Sequence, residues 1–484
     1  MQMIAKFAPD PIAPVLERLG ESPLSTFVAI AVLLAGAVVL FALRRRADPD
    51  LAASARSAVG TGAVPVPSTG DPDPAAALAA TEAVGAAMTD AGYSVMTVRN
   101  ALDDIARVNG LPASQVVVFP TALLVSARGE KQEGHERREG EERTGAVLSG
   151  EGSLLLCQID EVQRTVDAAR TGLLDPASTI DRIRWVREMK PPYGRVLRAL
   201  GYVMLSAGLS AMLGASWLGI GVAGALGAVV GTLLLIGERL PNRYGALITV
   251  TVAFAVALVV FVLMRAGFGP GLLAALIGPL VVLLPGVLLT TAALELSTGQ
   301  MIAGAGRLAA GGMQLVLIAA GIVSAGALVG VPDLEFTENP EALGPIAPWV
   351  AVAVFGVGIA VHQCAPPRAM LWMMFVLYVA YAAQVIGGVL LGGVLSAFVG
   401  ALVVTPVTAL VARQSTGPAA MVSFIPAFWL LVPGALGLVG VAEVLGGDVG
   451  GTASLIATLT TMIAISLGVL AGSIVSDRMR RPPL

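Results

Sequence analysis

Charge almost vanishes from one long continuous part of this sequence: residues 199–484 contain only 18 charged side chains in 286 positions. A chain segment of that kind has few folds open to it. In hydrocarbon every backbone polar group must find its partner within the protein, which leaves helices and closed barrels. Apolar runs of about 20 residues, the length that crosses about 30 Å of lipid, select helices. Of the remaining charged residues, 40 lie between Arg44 and Arg198. The whole chain is 56% hydrophobic and 13% charged, against about 25% charged in soluble domains, which excludes an ordinary soluble enzyme. A net charge of −3 gives no reason to expect a nucleic-acid partner.

The first apolar stretch, Leu24–Leu43, is followed at once by Arg44, Arg45 and Arg46. A cleaved signal peptide carries its basic residues before the apolar run, so this pattern predicts an anchor helix within residues 1–46, with the N-terminus outside and the chain from Arg44 cytoplasmic. Residues 47–74, rich in Ala, Pro, Asp and Gly, read as a disordered linker. Residues 75–195 read as a small α+β cytoplasmic domain. Helical spacing covers 75–91, 96–108, 161–171 and 179–189, and strand-like runs cover 115–119, 122–127 and 153–158. The charged stretch Gly129–Thr144 between the second and third of these strands reads as a solvated hairpin tip.

Ten apolar runs follow, at about 199–214, 217–237, 245–264, 271–292, 308–330, 345–363, 369–384, 385–411, 419–442 and 451–474, with Gln384 the only polar mark between the seventh and eighth. With the 75–195 domain in the cytoplasm, the inner loops and tail hold Arg239, Arg243, Arg307, Arg368, Arg413, Arg478, Arg480 and Arg481, and the outer loops hold Arg265 alone. That asymmetry obeys the positive-inside rule. The expected fold is therefore an all-α polytopic membrane protein: ten transmembrane helices after the anchor, as two inverted five-helix repeats, 196–330 and 331–484. An odd number of spans per half makes the second half enter from the opposite side.

A marker of that symmetry is Leu284-Pro285-Gly286 in the fourth run of the first half and Val432-Pro433-Gly434 in the fourth run of the second. Proline removes a backbone donor and glycine loosens the helix, and paired interruptions point to a transporter's central site. Pro285, Gly286, Thr290, Thr291, Pro433 and Gly434 are the candidate substrate-binding residues. Broken-helix N-termini attract carboxylates and freed carbonyls attract cations, and a zwitterion needs both. Glu295, the only acid between Glu238 and Asp333, is the candidate proton carrier, with Arg307 as its partner. An interfacial ion pair is the plainer reading of the same two residues. Gln314 and Gln384 suit interhelical hydrogen bonds, Thr405-Pro406 a threonine-supported kink, and His362 either packing or titration.

No catalytic constellation emerges. The phosphate-binding loop G-x-x-x-x-G-K-[ST] is absent, Cys157 has no histidine close in sequence, and the two cysteines and two histidines outline neither a disulfide framework nor a metal cluster. No cofactor or metal is expected. Asp103 and Asp104 read as a solvated helix face.

Several segments together resemble the threonine/serine exporter family. They are Ala87-Met88-Thr89-Asp90-Ala91-Gly92, Val98–Asn100, Ile105–Gly110, Val117–Ser126, Glu161–Thr171, then Leu284-Pro285-Gly286 with Thr290, Glu295, Gly299 and Arg307-Leu308, and Pro426 with Leu431-Val432-Pro433-Gly434. The resemblance extends over about residues 80–481, through the basic ending at 478–483. It implies a cytoplasmic domain followed by ten spans, and proton-driven export of threonine and serine across the plasma membrane. Some relatives divide the halves into two chains and are associated with succinate, so a dicarboxylate exporter is the alternative. The Leu24–Leu43 anchor and the charged Gly129–Thr144 insertion depart from the family pattern. The expected partners are an amino acid, protons and the lipid bilayer, with no nucleic acid, and a homo-oligomer is compatible. Two other classes stay open: a passive channel, and a membrane-anchored sensor or enzyme working through residues 75–195.

Overall fold

The computed structural model describes residues 23–46, 74–111, 114–133, 136–148, 154–268, 272, 274–329, 343–431 and 451–480. The expected linker, the acidic loop at 331–344 up to Ala342, and Pro433-Gly434 lie outside these residues.

The first helix, α1 (Pro23–Arg46), covers the expected anchor. A polar α/β unit follows: α2 (Pro74–Asp90), α3 (Val95–Val108), β1 (Gln115–Val118), β2 (Ala122–Glu133), β3 (Glu136–Leu148), α4 (Leu156–Arg170) and α5 (Pro176–Glu188). Ser94 caps α3 through its hydroxyl to the Thr97 N–H, and Asp175 caps α5 through Ser178 N–H. The apolar side of α3, Val98, Leu102 and Ile105, packs with Val84 and Met88 of α2 and with Leu123 and Val125 of the sheet.

Two expectations in this unit need correction. The stretch 153–158 is not a strand, because α4 begins at Leu156. Its apolar residues belong to a helix start seated on the bundle, where Leu156 N–H donates to Gln363 C=O at 2.9 Å and Cys157 N–H to Cys364 C=O at 3.1 Å. The third strand lies instead within the charged stretch read as a hairpin tip. β2 and β3 pair antiparallel from Ala122↔Leu148 to Glu133↔Glu136, with a bulge near Arg128. Most of Gly129–Thr144 therefore continues the two strands as a backbone ladder. The sheet order is β1-β2-β3, all antiparallel.

The apolar region forms α6 (Arg195–Met212), α7 (Trp217–Gly237), α8 (Gly245–Arg265), α9 (Ala274–Leu280), α10 (Gly286–Ser297), α11 (Met301–Val329), α12 (Ala347–His362), α13 (Met370–Leu391), α14 (Gly393–Ala412), α15 (Ala420–Leu431) and α16 (Gly451–Arg480). Among the described residues seven helices are long and apolar enough to cross a membrane, namely α1, α7, α8, α11, α13, α14 and α16. The pair α9/α10, bent by 61°, makes an eighth. The break between α13 and α14 falls at Gly392, with φ 85°, and not at Gln384, which is half-buried inside α13. A left-handed glycine ends a helix more decisively than a polar side chain does.

α6 and α12 pack along each other at backbone distance. A Cβ at Gly208 would stand 2.6 Å from Phe355 N, and one at Gly358 would stand 2.4 Å from Leu205 N. Small residues permit this approach, which supplies the dispersion contacts that hold apolar helices together in lipid. Two cores extend from this seam. Leu205 and Phe355 join Leu377, Val404, Phe428 and Ile465, and Tyr202 joins Val230, Phe261, Leu280 and Ile318. The core of the α/β unit itself runs on into the bundle through Ala303, Ala360, Met373, Ala419 and Val422.

Candidate functional site

The break in the fourth run is built by local chemistry. Pro279 lies inside α9, a 3₁₀ turn covers Val281–Leu283, Leu284 is extended (φ −70°, ψ 125°), and Pro285 starts α10 without an N–H to donate. The carbonyls near the break find side-chain partners. Tyr202 Oη donates to Pro279 C=O at 2.7 Å, Ser210 Oγ to Ala274 C=O at 3.0 Å, and Gln314 Nε2 to Leu283 C=O at 3.2 Å and to Thr249 Oγ1 at 3.3 Å. Gln314 thus makes the interhelical bonds expected of it. Pro285 is half-buried and Gly286 buried at the bend. Five residues into α10, Thr290 is buried, and its hydroxyl has no hydrogen-bond partner among the described residues. Its carbonyl accepts from Ser466 Oγ of α16 at 3.2 Å. Thr291, on the next step of the helix, is half-buried.

At the far end of α10, Glu295 is 1% exposed and Arg307 of α11 is 7% exposed. Glu295 Oε2 and Arg307 Nε stand 3.3 Å apart as an ion pair, without the alignment of a hydrogen bond. Each spends another atom on the backbone of the α/β unit: Val95 N–H donates to Glu295 Oε1 at 3.0 Å, and Arg307 Nη2 donates to Tyr93 C=O at 3.0 Å. The turn joining α2 to α3 is therefore clamped by the pair. A buried ion pair is a poor source of net stability, but removing one partner strands the other at large cost. Tyr93 carries the connection onward, since its hydroxyl donates to Gln163 Oε1 of α4 at 2.6 Å. Burial raises the Tyr93 phenol above its ordinary pKa, so it stays a donor.

A second junction, unforeseen from the sequence, is built on Asp160 of α4, which is 0% exposed. Oδ1 accepts from Ala419 N–H at 2.7 Å, and Oδ2 accepts from Arg164 Nε at 3.2 Å and from Arg368 Nη2. The only signal was an acid closing an apolar run, and reading that run as a strand hid it. Ser423 of α15 was also missed; like Thr290 it is buried, with a hydroxyl that has no partner among the described residues.

Beside the Glu295 junction a cleft of about 580 Å³ opens between α3 and β1, lined by Arg99, Asp103, Arg107 and Gln300, with Val95 in its wall. Its charges are largely matched, Arg99 with Asp103 at 3.9 Å and Arg107 with Asp104 at 3.3 Å. Asp104 also takes Arg170 at 2.5 Å, on the exposed helix face expected. His362 is a packing residue: its Nδ1 is 3.1 Å from Arg198 C=O, and its ring meets Tyr202 edge-on at 4.7 Å. Thr405 Oγ1 donates to Ala401 C=O at 2.9 Å, next to Pro406 inside α14. Pro433 and Gly434 lie outside the described residues. No group of three or more His, Cys, Asp or Glu side chains suited to a metal occurs among the described residues.

No curated protein and no solved structure matches this chain. The ThrE family, described as "Putative threonine/serine exporter", matches residues 80–329, from the α/β unit through α11. That match takes in the bend at Pro285-Gly286, Glu295 and Arg307, and it spans just over half of the 484 residues. The chain belongs to the ThrE family of threonine/serine exporters.

Proposed function

We propose that this protein is a proton-coupled secondary exporter of threonine and serine in the plasma membrane, with the N-terminus outside and residues 75–195 and the C-terminus in the cytoplasm. In this reading residues 196–330 and 331–484 are two inverted five-helix halves, and Pro285-Gly286 and Pro433-Gly434 break their fourth spans near mid-membrane. The substrate binds between the breaks. Thr290, whose buried hydroxyl lacks a partner among the described residues, and Thr291 meet its hydroxyl or ammonium group.

The observation that carries the reading is the Glu295–Arg307 pair, buried one helix length from the break and closed off by the backbone at Tyr93 and Val95. Protonating Glu295 weakens its hold on Val95 N–H and on Arg307 together, so one proton loosens the seat of the cytoplasmic unit. The cleft walled by Val95 comes within one residue of the carboxylate.

The test is efflux of labelled threonine from preloaded cells, with and without the protein and with and without a protonophore. Protein-dependent efflux that collapses with the protonophore is expected. Efflux indifferent to the gradient would turn the reading towards a passive channel and remove the role given to Glu295.

A further inference from the structure

The chain has two cysteines, Cys157 and Cys364, and the fold brings them together across the junction between the α/β unit and the bundle. Cys157 N–H donates to Cys364 C=O at 3.1 Å. Standard bond lengths then hold the two Cα atoms to no more than about 7 Å, a bound that overlaps the range of about 4.4–6.8 Å that a disulfide spans. Both are free thiols and both are buried, Cys157 at 5% and Cys364 at 0% exposure. Cys364 is also the only non-glycine residue with a left-handed backbone among those described, at φ 57°. A glycine would make that turn without strain, so the thiol occupies a position that disfavours any side chain.

We propose that Cys157 and Cys364 form a reversible oxidation site, which peroxide converts to an intramolecular disulfide that staples the α/β unit to the turn after α12. The step balances. One thiol gives up its proton and its sulfur attacks peroxide, breaking the O–O bond to yield a sulfenic acid and water. The second sulfur then attacks the sulfenic sulfur, the S–S bond forms and a second water leaves. Two thiols lose two electrons and two protons, and one peroxide becomes two waters. A dithiol reductant reverses it by exchange.

The surroundings set a high threshold. Burial pushes Cys157 up to about 11 and raises Cys364 as well, so neither is a thiolate in the closed junction. The charged groups around them are Asp160 of α4, Arg198 of α6 and Glu238 at the end of α7. Oxidation therefore follows sustained peroxide and openings of the junction. The disulfide reinforces the side of the unit already held by Asp160, and so blocks its separation from α12 and α13. That consequence for transport rests on the function proposed above, whereas the cross-link does not.

The experiment treats the full-length protein in membranes with hydrogen peroxide, blocks free thiols, and analyses a non-reducing digest by mass spectrometry. A Cys157–Cys364 linked peptide is expected, removed by dithiothreitol and absent from Cys157→Ser and Cys364→Ser. Thiols that remain alkylatable, sulfinic acid at either position, or disulfide-linked dimers would overturn the site, and wild-type protein alone decides these outcomes. Threonine efflux should fall at least threefold on oxidation, recover on reduction, and stay unchanged by peroxide in the two variants. A complete disulfide with unaltered efflux would overturn the staple's effect. Absence of efflux before any oxidation would count against the substrate assignment while the linked peptide still decides the thiol pair.

Discussion

Glu295 holds two things at once, an arginine and the backbone amide of Val95, and substitutions can separate them. Glu295→Gln keeps the shape and strands Arg307. The expected result is a loss of at least tenfold in proton-driven efflux, with destabilisation of about 3–5 kcal/mol, read by labelled efflux and by denaturant unfolding of the purified protein. Val95→Pro is a finer probe. Val95 is the first helical residue after the cap Ser94, whose φ −67° and ψ 148° suit a residue before proline. The exchange leaves α3 helical and deletes the amide from which Glu295 accepts, a bond worth about 1.5–3 kcal/mol to a charged acceptor, while exchanging the buried valine side chain for a ring of similar size. Efflux should change several-fold while circular dichroism is preserved; unchanged efflux would show that the amide does not matter to transport. The Glu295–Arg307 pairing was legible because few charges interrupt that part of the sequence. Asp160 was not, because its partners Arg368 and Ala419 lie far along the chain and no local pattern announces a tertiary contact.

Among the elements, the bent α9/α10 pair and the α6–α12 seam depend on opposite properties of small residues. At the bend, Pro285 withholds a donor. Pro285→Ala restores it and should straighten the 61° bend at little cost in stability, so that efflux falls while unfolding is unchanged or shifted to higher denaturant. Along the seam, Gly358 lets Leu205 approach. Gly358→Leu should force the helices apart and destabilise the protein by about 1–3 kcal/mol or more, visible as a lower melting temperature. Helix positions could be read from apolar runs, because hydrocarbon forces backbone bonds to be local. Ends were less legible: Gly392 stops α13 through a backbone angle that no hydropathy pattern encodes. The long β2–β3 ribbon was missed because its charged sequence lacks the apolar–polar alternation that betrays a strand, and the start of α4 passed for a strand because its apolar residues face a docking surface.

At the scale of the whole molecule, the α/β unit is seated on two separate places in the bundle, the Glu295–Arg307 pair of α10 and α11 and the Asp160 contacts with Arg368 and Ala419. Its core is continuous with Ala303, Ala360, Met373 and Ala419. Removing residues 74–188 should therefore leave an aggregation-prone bundle with a stranded ion pair, detected as loss of a monodisperse peak in size-exclusion chromatography. Asp160→Asn should instead loosen one seat only, raising amide hydrogen exchange around Ala419 and at the start of α4 while the fold persists. The seating has one further property. Six of its contacts end on main-chain atoms, Val95 N–H, Tyr93 C=O, Ala419 N–H, Gln363 C=O, Cys364 C=O and Gly417 C=O. A main-chain atom is the same whichever amino acid bears it. At those positions the grip depends on the course of the backbone, so two lineages that keep Glu295, Arg307 and Asp160 and the packing of Tyr93, Val95 and Ala419 could exchange their α/β units and still find the grip intact.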